Sequence, residues 1–371
     1  SDDRISTGDP NYTVRRDKMS SVGVTAQTEG LYAFDARSSV TAGADYSHTS
    51  HQLPSYVDVF TPQSSRAGQE TPEGLPGGLH VFDNLGVYTQ GIAYVLEDTA
   101  LTVGLRLDNN SVYGNEFTSR AGLVSALLPG LSTKLLYGSS FKAPSPPQLF
   151  GQPLTIGDII GDATLKPETA QTVEAALLYE AGRNLELLSD VYYTHVADRI
   201  TFVTRGANSD AVQSASDSVG LEAEARWRWR WLHGSINGSL QATASAPEGT
   251  ATADTLAELP EAFPTYMFNA GVGCPLGPLP LSAYLEGRLV GAVPATQSNF
   301  AKNGLVQYEL PLSGLLDFTL SSKPWNLGDG SLSASLKLSN LLGGPDVQPG
   351  FGGIDYPGAG RTLLLRIDYA W

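Results

Sequence analysis

Apolar and polar residues alternate along almost the whole chain with a period of two. In "VGLEAEARWRWR", Val219, Leu221, Ala223, Ala225, Trp227 and Trp229 share one face, and Gly220, Glu222, Glu224, Arg226, Arg228 and Arg230 share the other. Successive side chains of a strand point to opposite sides, so this is a strand with one wholly apolar face and one charged face. The same division runs through "LTVGLRLD", where Leu101, Val103, Leu105 and Leu107 oppose Thr102, Gly104, Arg106 and Asp108. It recurs in "SINGSLQATA", "LSAYLEGRLV" and "SLSASLKLSN". In "RTLLLRIDYAW", Leu363, Leu365, Ile367, Tyr369 and Trp371 oppose Leu364, Arg366, Asp368 and Ala370. A soluble sandwich would have to point its apolar face inward. A membrane barrel reverses the arrangement, apolar toward lipid and charged toward the lumen.

Run length and connections decide between the two. The runs are about nine to twelve residues long, enough for a tilted strand to cross a bilayer, whereas soluble strands average about five or six. About fifteen strands are expected, the first near residues 18–28. Connections alternate between short ones ("EDT", "LPGL", "RWRW") and long ones at 50–84, 143–168, 204–217, 245–262, 293–309 and 343–360. Tight turns at one end and long loops at the other are the pattern of an outer-membrane barrel. Aromatic residues near strand ends, such as Trp227, Trp229, Trp231, Tyr369 and Trp371, fit an interfacial girdle. The expected fold is therefore all-β, a transmembrane antiparallel β-barrel. Residues 1–17 are read as an extracellular loop segment and 18–371 as one partial barrel domain.

Composition removes competing classes. A net charge of −15 disfavours nucleic-acid binding, which needs clustered Lys and Arg. No apolar stretch is long enough for a helical membrane span. The one cysteine, Cys274, allows no internal disulfide and no cysteine-based zinc site. The first residues, "SDDRISTGDP", lack the basic and apolar regions of a signal peptide, so the chain is read as mature or as a fragment. No cofactor is expected.

Candidate chemistry is sparse. Ser139 and Lys142 have the spacing of a serine nucleophile pair, but that pair needs a helix, and a strand sends the two to opposite faces. His48 and His51 invite a metal reading that an odd offset on a strand again splits. With no convergent catalytic set, no enzyme is expected. The informative residues are the charged rows. Lys134, Glu174, Asp190, Glu222, Glu224, Arg226, Arg228, Glu286, Arg288, Lys337, Arg366 and Asp368 are expected to line the lumen. Both signs are present, so they can pair across strands.

Residues 136–151, "LYGSSFKAPSPPQLFG", resemble a segment of TonB-dependent outer-membrane receptors through Tyr137, Gly138, Phe141, Lys142, Ala143 and Pro144. "LKPETAQTVEAAL" resembles the segment that follows in that family through Leu165, Lys166, Pro167, Glu168 and Thr169. "GLEAEARW", "KLSNLLG" and "YPGAGRTLLLRIDYAW" resemble later strands and the closing hairpin, in the family's order. The chain ends in Trp where Phe is commoner in the family. The resemblance implies a barrel of about 22 strands, of which this chain would be the C-terminal ~15, without the N-terminal plug. It implies energised uptake of a scarce solute (a siderophore, a cobalamin, a glycan or a peptide) through an outer membrane rich in lipopolysaccharide. The alternative is a plugless or structural barrel serving as a scaffold. It further implies a second chain supplying the plug and about seven strands, with the TonB system reached through that chain. The last strand, Leu363, Leu365, Ile367, Tyr369 and Trp371, would be the signal for barrel assembly. Tyr113, Phe150, Phe300, Phe351 and Tyr356, on long loops, are the candidates for touching substrate.

Overall fold

The computed structural model describes residues 2–5, 13–60, 66–70, 78–152, 159–205, 208–247, 263–296, 299, 306, 308–350 and 354–371. Among the described residues fifteen long strands form one antiparallel meander, each paired to the next in sequence. They are β1 (Thr13–Ala33), β2 (Ser39–Phe60), β3 (Leu79–Leu96), β4 (Thr99–Asn110), β5 (Gly114–Leu128), β6 (Leu131–Lys142), β7 (Glu168–Ala181) and β8 (Leu185–Arg205). The wall continues with β9 (Asn208–Trp229), β10 (Leu232–Pro247), β11 (Tyr266–Pro275), β12 (Leu281–Val290), β13 (Ser313–Ser322), β14 (Gly330–Ser339) and β15 (Thr362–Ala370). One short helix, α1 (Pro146–Phe150), lies in the connection between β6 and β7. Among the described residues no helix is long and apolar enough to cross a membrane.

The register carries the alternation across the sheet. Every charged residue expected in the lumen lies on one common face, because cross-strand partners share a face: Lys134 opposes Ala176, Asp190 opposes Glu222, Asn269 opposes Arg288, Glu286 opposes Asp317 and Ser335 opposes Arg366. The other face is a continuous field of exposed large apolar side chains, among them Val103, Leu105, Leu107, Val219, Leu221, Leu363, Leu365 and Ile367. Water would penalise so large an apolar surface, and hydrocarbon would not. An apolar face of this kind suits lipid and the charged face suits an aqueous lumen, the arrangement the alternation leads one to expect.

At one end the strands join by tight turns. Pro129-Gly130 links β5 to β6, with Gly130 at φ +79, a conformation that costs glycine nothing. Exposed aromatics gather at this end: Tyr32 against Phe34 at 5.0 Å, Trp229, Trp231, and Tyr369 against Trp371 at 6.2 Å. At the other end lie the long connections. Here a small core forms from Leu149 of α1, Leu165, Ile200 of β8 and Ala211 of β9, flanked by Phe82, Phe150 and Phe202.

The structure differs from the sequence reading in several places. The expected 50–84 connection shortens to 61–78, because β2 runs to Phe60 and β3 starts at Leu79. The 204–217 loop is absent as such: β8 runs to Arg205 and β9 starts at Asn208, so this stretch is mostly strand standing above the membrane. Within the segment read as a loop at 1–17, Asp2–Ile5 is strand and pairs with the Val14–Asp17 stretch of β1. No pairing among the described residues joins β15 to β1, so the wall is an open sheet rather than a closed barrel.

Candidate functional site

The lumen face is built from ion pairs that span neighbouring strands. The most enclosed centres on Arg106 of β4. Its Nη1 and Nη2 donate to both carboxylate oxygens of Asp45 at 2.7 and 3.0 Å, while Nε and Nη2 donate to Asp108 at 2.7 and 2.6 Å. Asp45 is on β2 and Asp108 on β4, with β3 between them. Gly86 of β3 makes the span possible: it pairs with Asp45 on one side and Asp108 on the other, and a Cβ there would sit 2.8 Å from Arg106 Cζ. Asp108 is only 2% exposed and takes a further bond from Asn84 Nδ2 at 3.0 Å. Beside this clamp, Tyr88 donates its hydroxyl to Glu29 at 2.7 Å and packs over Gly43 of β2. Asp45, Tyr88 and Arg106, together with Gln27, Thr118 and Arg120, line a cavity of about 520 Å³.

A second cavity of about 600 Å³ opens near the short turns. Arg226 there donates to Glu186 at 2.8 Å and to Glu224 at 2.8 and 2.9 Å, and Arg228 and His233 complete the rim. Higher on the wall, Lys337 pairs with Asp317 at 3.0 Å. Arg366 pairs with Asp368 at 2.8 Å. Arg288 reaches up to Asp346 in the connection after β14, at 3.1 Å. Glu174, Asp190, Glu222 and Lys134 share one neighbourhood of the wall.

The long-loop end is tied by its own bonds. Asp355 accepts from Asn299 Nδ2 at 2.7 Å, from Tyr308 Oη at 2.8 Å and from the Gly350 amide at 3.2 Å, joining the 291–312 and 340–361 connections. The Asp355 carboxylate holds the Tyr308 hydroxyl above the ordinary tyrosine range, with some help from burial. His80 stacks on Phe150 at 3.9 Å, fastening α1 to β3.

The sequence candidates fall unevenly on this frame. Lys142 and Glu168 are paired across β6 and β7 and bond at 3.1 Å, and Phe141 opposes Thr169, so the two family-like segments meet as one hairpin base. Tyr137 points to lipid, Gly138 to the lumen, Ala143 and Pro144 lead into α1, and Leu165 is buried in the loop core. Lys166 gives its carbonyl to Gln213, and Pro167 is buried beside it. Of the loop aromatics, Phe150 uses its ring for packing, Tyr113 lies 6.2 Å from Phe141 and donates to Asn84 at 3.5 Å, and Tyr356 is exposed. Phe300 and Phe351 lie outside the described residues. Leu363, Leu365, Ile367 and Tyr369 pair β15 against β14, and Trp371 is 94% exposed. Ser139 and Lys142 do face apart, the serine hydroxyl bonding the Ser119 backbone. Among the described residues no group of three or more His, Cys, Asp or Glu side chains could hold a metal ion. The Asp45–Arg106–Asp108 clamp was missed as a unit. Arg106 and Asp108 show in the alternation of β4, but Asp45 is joined to them only by register across β3.

An apolar outer face, a charged face crossed by ion pairs, tight turns at one end and long tied loops at the other are the features of an outer-membrane β-barrel wall. The family model for the TonB dependent receptor-like beta-barrel matches residues 1–341. The chain belongs to this family, whose members are receptors rather than catalysts, and its place is the outer membrane. A stretch of 115 residues is 34% identical to the iron-regulated outer membrane virulence protein of Vibrio cholerae, covering 30% of this chain and 18% of that protein. The fold superposes on the copper transporter OprC with a TM-score of 0.71 at 16% identity, over 98% of this chain and 58% of that one. It also matches the FrpB iron transporter from Neisseria meningitidis (TM-score 0.67, 16% identity, 96% of this chain and 55% of that one). The siderophore receptor PirA from Acinetobacter baumannii gives a TM-score of 0.66 at 13% identity, over 95% and 54%. The chain thus spans a little over half the length of these structures.

Proposed function

We propose that this chain is the larger part of the wall of a TonB-dependent importer for a scarce metal-bearing solute. The observation that carries the reading is the continuous polar lumen face, held rigid by pairs such as Asp45–Arg106–Asp108 and Arg226–Glu186. A wall that must hold a plug and let a hydrated solute pass needs fixed polar groups rather than an apolar lining. Solved relatives that carry copper, iron or a siderophore by name favour a metal-bearing cargo over a glycan or peptide. The open edges of β1 and β15 would leave backbone groups unpaired in hydrocarbon, at several kcal/mol each. Together with the greater length of the relatives, this supports a barrel completed by about seven further strands and a plug, on the same polypeptide or on a second chain. Energy would reach it through the TonB system.

The test is uptake by cells that express the whole receptor as their one route for ferric siderophores. Uptake of radioactive iron that vanishes when the TonB system is deleted supports the reading. A barrel that leaks sugars into vesicles without energy would instead establish a plugless pore.

A further inference from the structure

The lipid face carries one arrangement twice. On β2 and β3, Asp83 Oδ1 accepts from Tyr46 Oη at 2.6 Å and faces His48 Nδ1 at 2.8 Å. On β8 and β9, Asp217 Oδ1 accepts from Tyr193 Oη at 2.5 Å and faces His195 Nδ1 at 2.8 Å. In both cases a Tyr-x-His strand runs toward the long loops, and the aspartate sits on the next strand directly opposite the histidine.

Their height is also shared. Asp217 lies twelve residues from Trp229 at the foot of β9, and Asp83 thirteen from Leu96 at the foot of β3. A rise of about 3.3 Å per residue and a tilt of about 45° put both about 30 Å above the turns, at the top of the hydrocarbon. The neighbours agree. Below the clusters the same face holds Leu85 and Val87, or Val219 and Leu221, and above the first cluster it turns mixed, with Ser50 and Gln52 beside Val81 and Leu79. This is the level of the outer-leaflet headgroups.

Each cluster has a defined unmet capacity. A carboxylate can only accept, so Nδ1 carries the proton and, in the neutral ring, Nε2 keeps a lone pair turned outward. Among the described residues neither Nε2 nor the second carboxylate oxygen of Asp83 or Asp217 has a partner. The side chains are 39–46% exposed. With the ring neutral, each cluster presents two acceptors, an aromatic ring and a negative charge, with no donor to spare. A bare phosphate would be repelled. Hydroxyls and amide N–H groups on a pyranose would find acceptors, and the sugar's C–H face would find the tyrosine ring.

We propose that the Tyr46–His48–Asp83 and Tyr193–His195–Asp217 clusters are docking points for the sugar portion of outer-leaflet glycolipid headgroups, one molecule at each. The full receptor, assembled in vesicles of lipid A and phosphatidylethanolamine, can be extracted in mild detergent and its bound lipids counted by native mass spectrometry. The wild type should retain two lipid A molecules that the Asp83→Ala, Asp217→Ala double variant loses, with each single variant losing one. Where the aspartate variants assemble poorly, His48→Ala with His195→Ala should give the same loss with normal heat-modifiable migration. Chelation with EDTA should leave the count unchanged. Equal retention by wild type and assembled variants would overturn the proposal. So would loss on chelation, which would mean that a divalent cation bridges the carboxylates to phosphate.

Discussion

The membrane belt of this wall and its long-loop end are made by the same strands under different rules. In the belt every residue answers to the alternation: Leu221 lies on the apolar face and Glu222, next to it, on the charged one. Beyond Asp83 and Asp217 the strands enter the long-loop end, where the protein supplies an interior of its own. It does so with Leu149, Leu165, Ile200 and Ala211, and with the Asp355 ties between loops. The belt is therefore stabilised by where it sits, and the rim by what it packs. The two should fail differently.

The largest effect is expected where the belt's rule is broken. Leu221→Arg puts a cation into hydrocarbon near the membrane middle and should cost about 2–4 kcal/mol, read from denaturant titration in lipid vesicles. The lumen answers next. Arg106→Met strands Asp108, which is almost fully buried, as an uncompensated charge. Breaking a buried pair costs about 3–5 kcal/mol, reduced here to about 2–3 because Arg106 is itself a third exposed. The same titration should detect it, and Asp45→Asn with Asp108→Asn should recover much of the loss.

At the rim the damage should stay local. Leu165→Ala removes a buried side chain from a small loop core that can collapse around the gap, for about 2 kcal/mol of local stability, the low end of such truncations. Protease nicking within 143–167 should rise while the barrel keeps its heat-modifiable migration. The smallest effect is a pH dependence. The Asp355 carboxylate raises the Tyr308 hydroxyl, so this tie contributes fully below the unfolded tyrosine value of about 10 and weakens as pH climbs through the folded value. Loop nicking near 308 should increase at alkaline pH in the wild type, and Tyr308→Phe should flatten that response.

The same contrast explains what could be read in advance. The belt was legible because lipid on one side and water on the other imprint a strict alternation, and "VGLEAEARWRWR" shows it without help. Above the membrane that imprint fades. "SDAVQSASDS" is small and polar at most positions, so it resembles a loop, although β9 runs straight through it. Contacts set by register were equally hidden. Arg106 and Asp108 are two residues apart, but Asp45 reaches them across β3 only because Gly86 leaves the space. His48 invited a metal reading, yet its partner is Asp83, brought opposite it by the 61–78 connection.

The central claim is that the face carrying Leu221 meets lipid and the face carrying Glu222 lines an aqueous lumen. Nitroxide labels placed singly at Leu221, Glu222, Leu365 and Arg366 in the membrane-assembled receptor test it directly, with oxygen as the lipid-soluble quencher and a nickel chelate as the water-soluble one. The account predicts oxygen-dominated relaxation at positions 221 and 365, and weak oxygen with measurable nickel accessibility at 222 and 366. Oxygen-dominated relaxation at 222 and 366 would contradict it, and would place every strand of the wall one residue out of register.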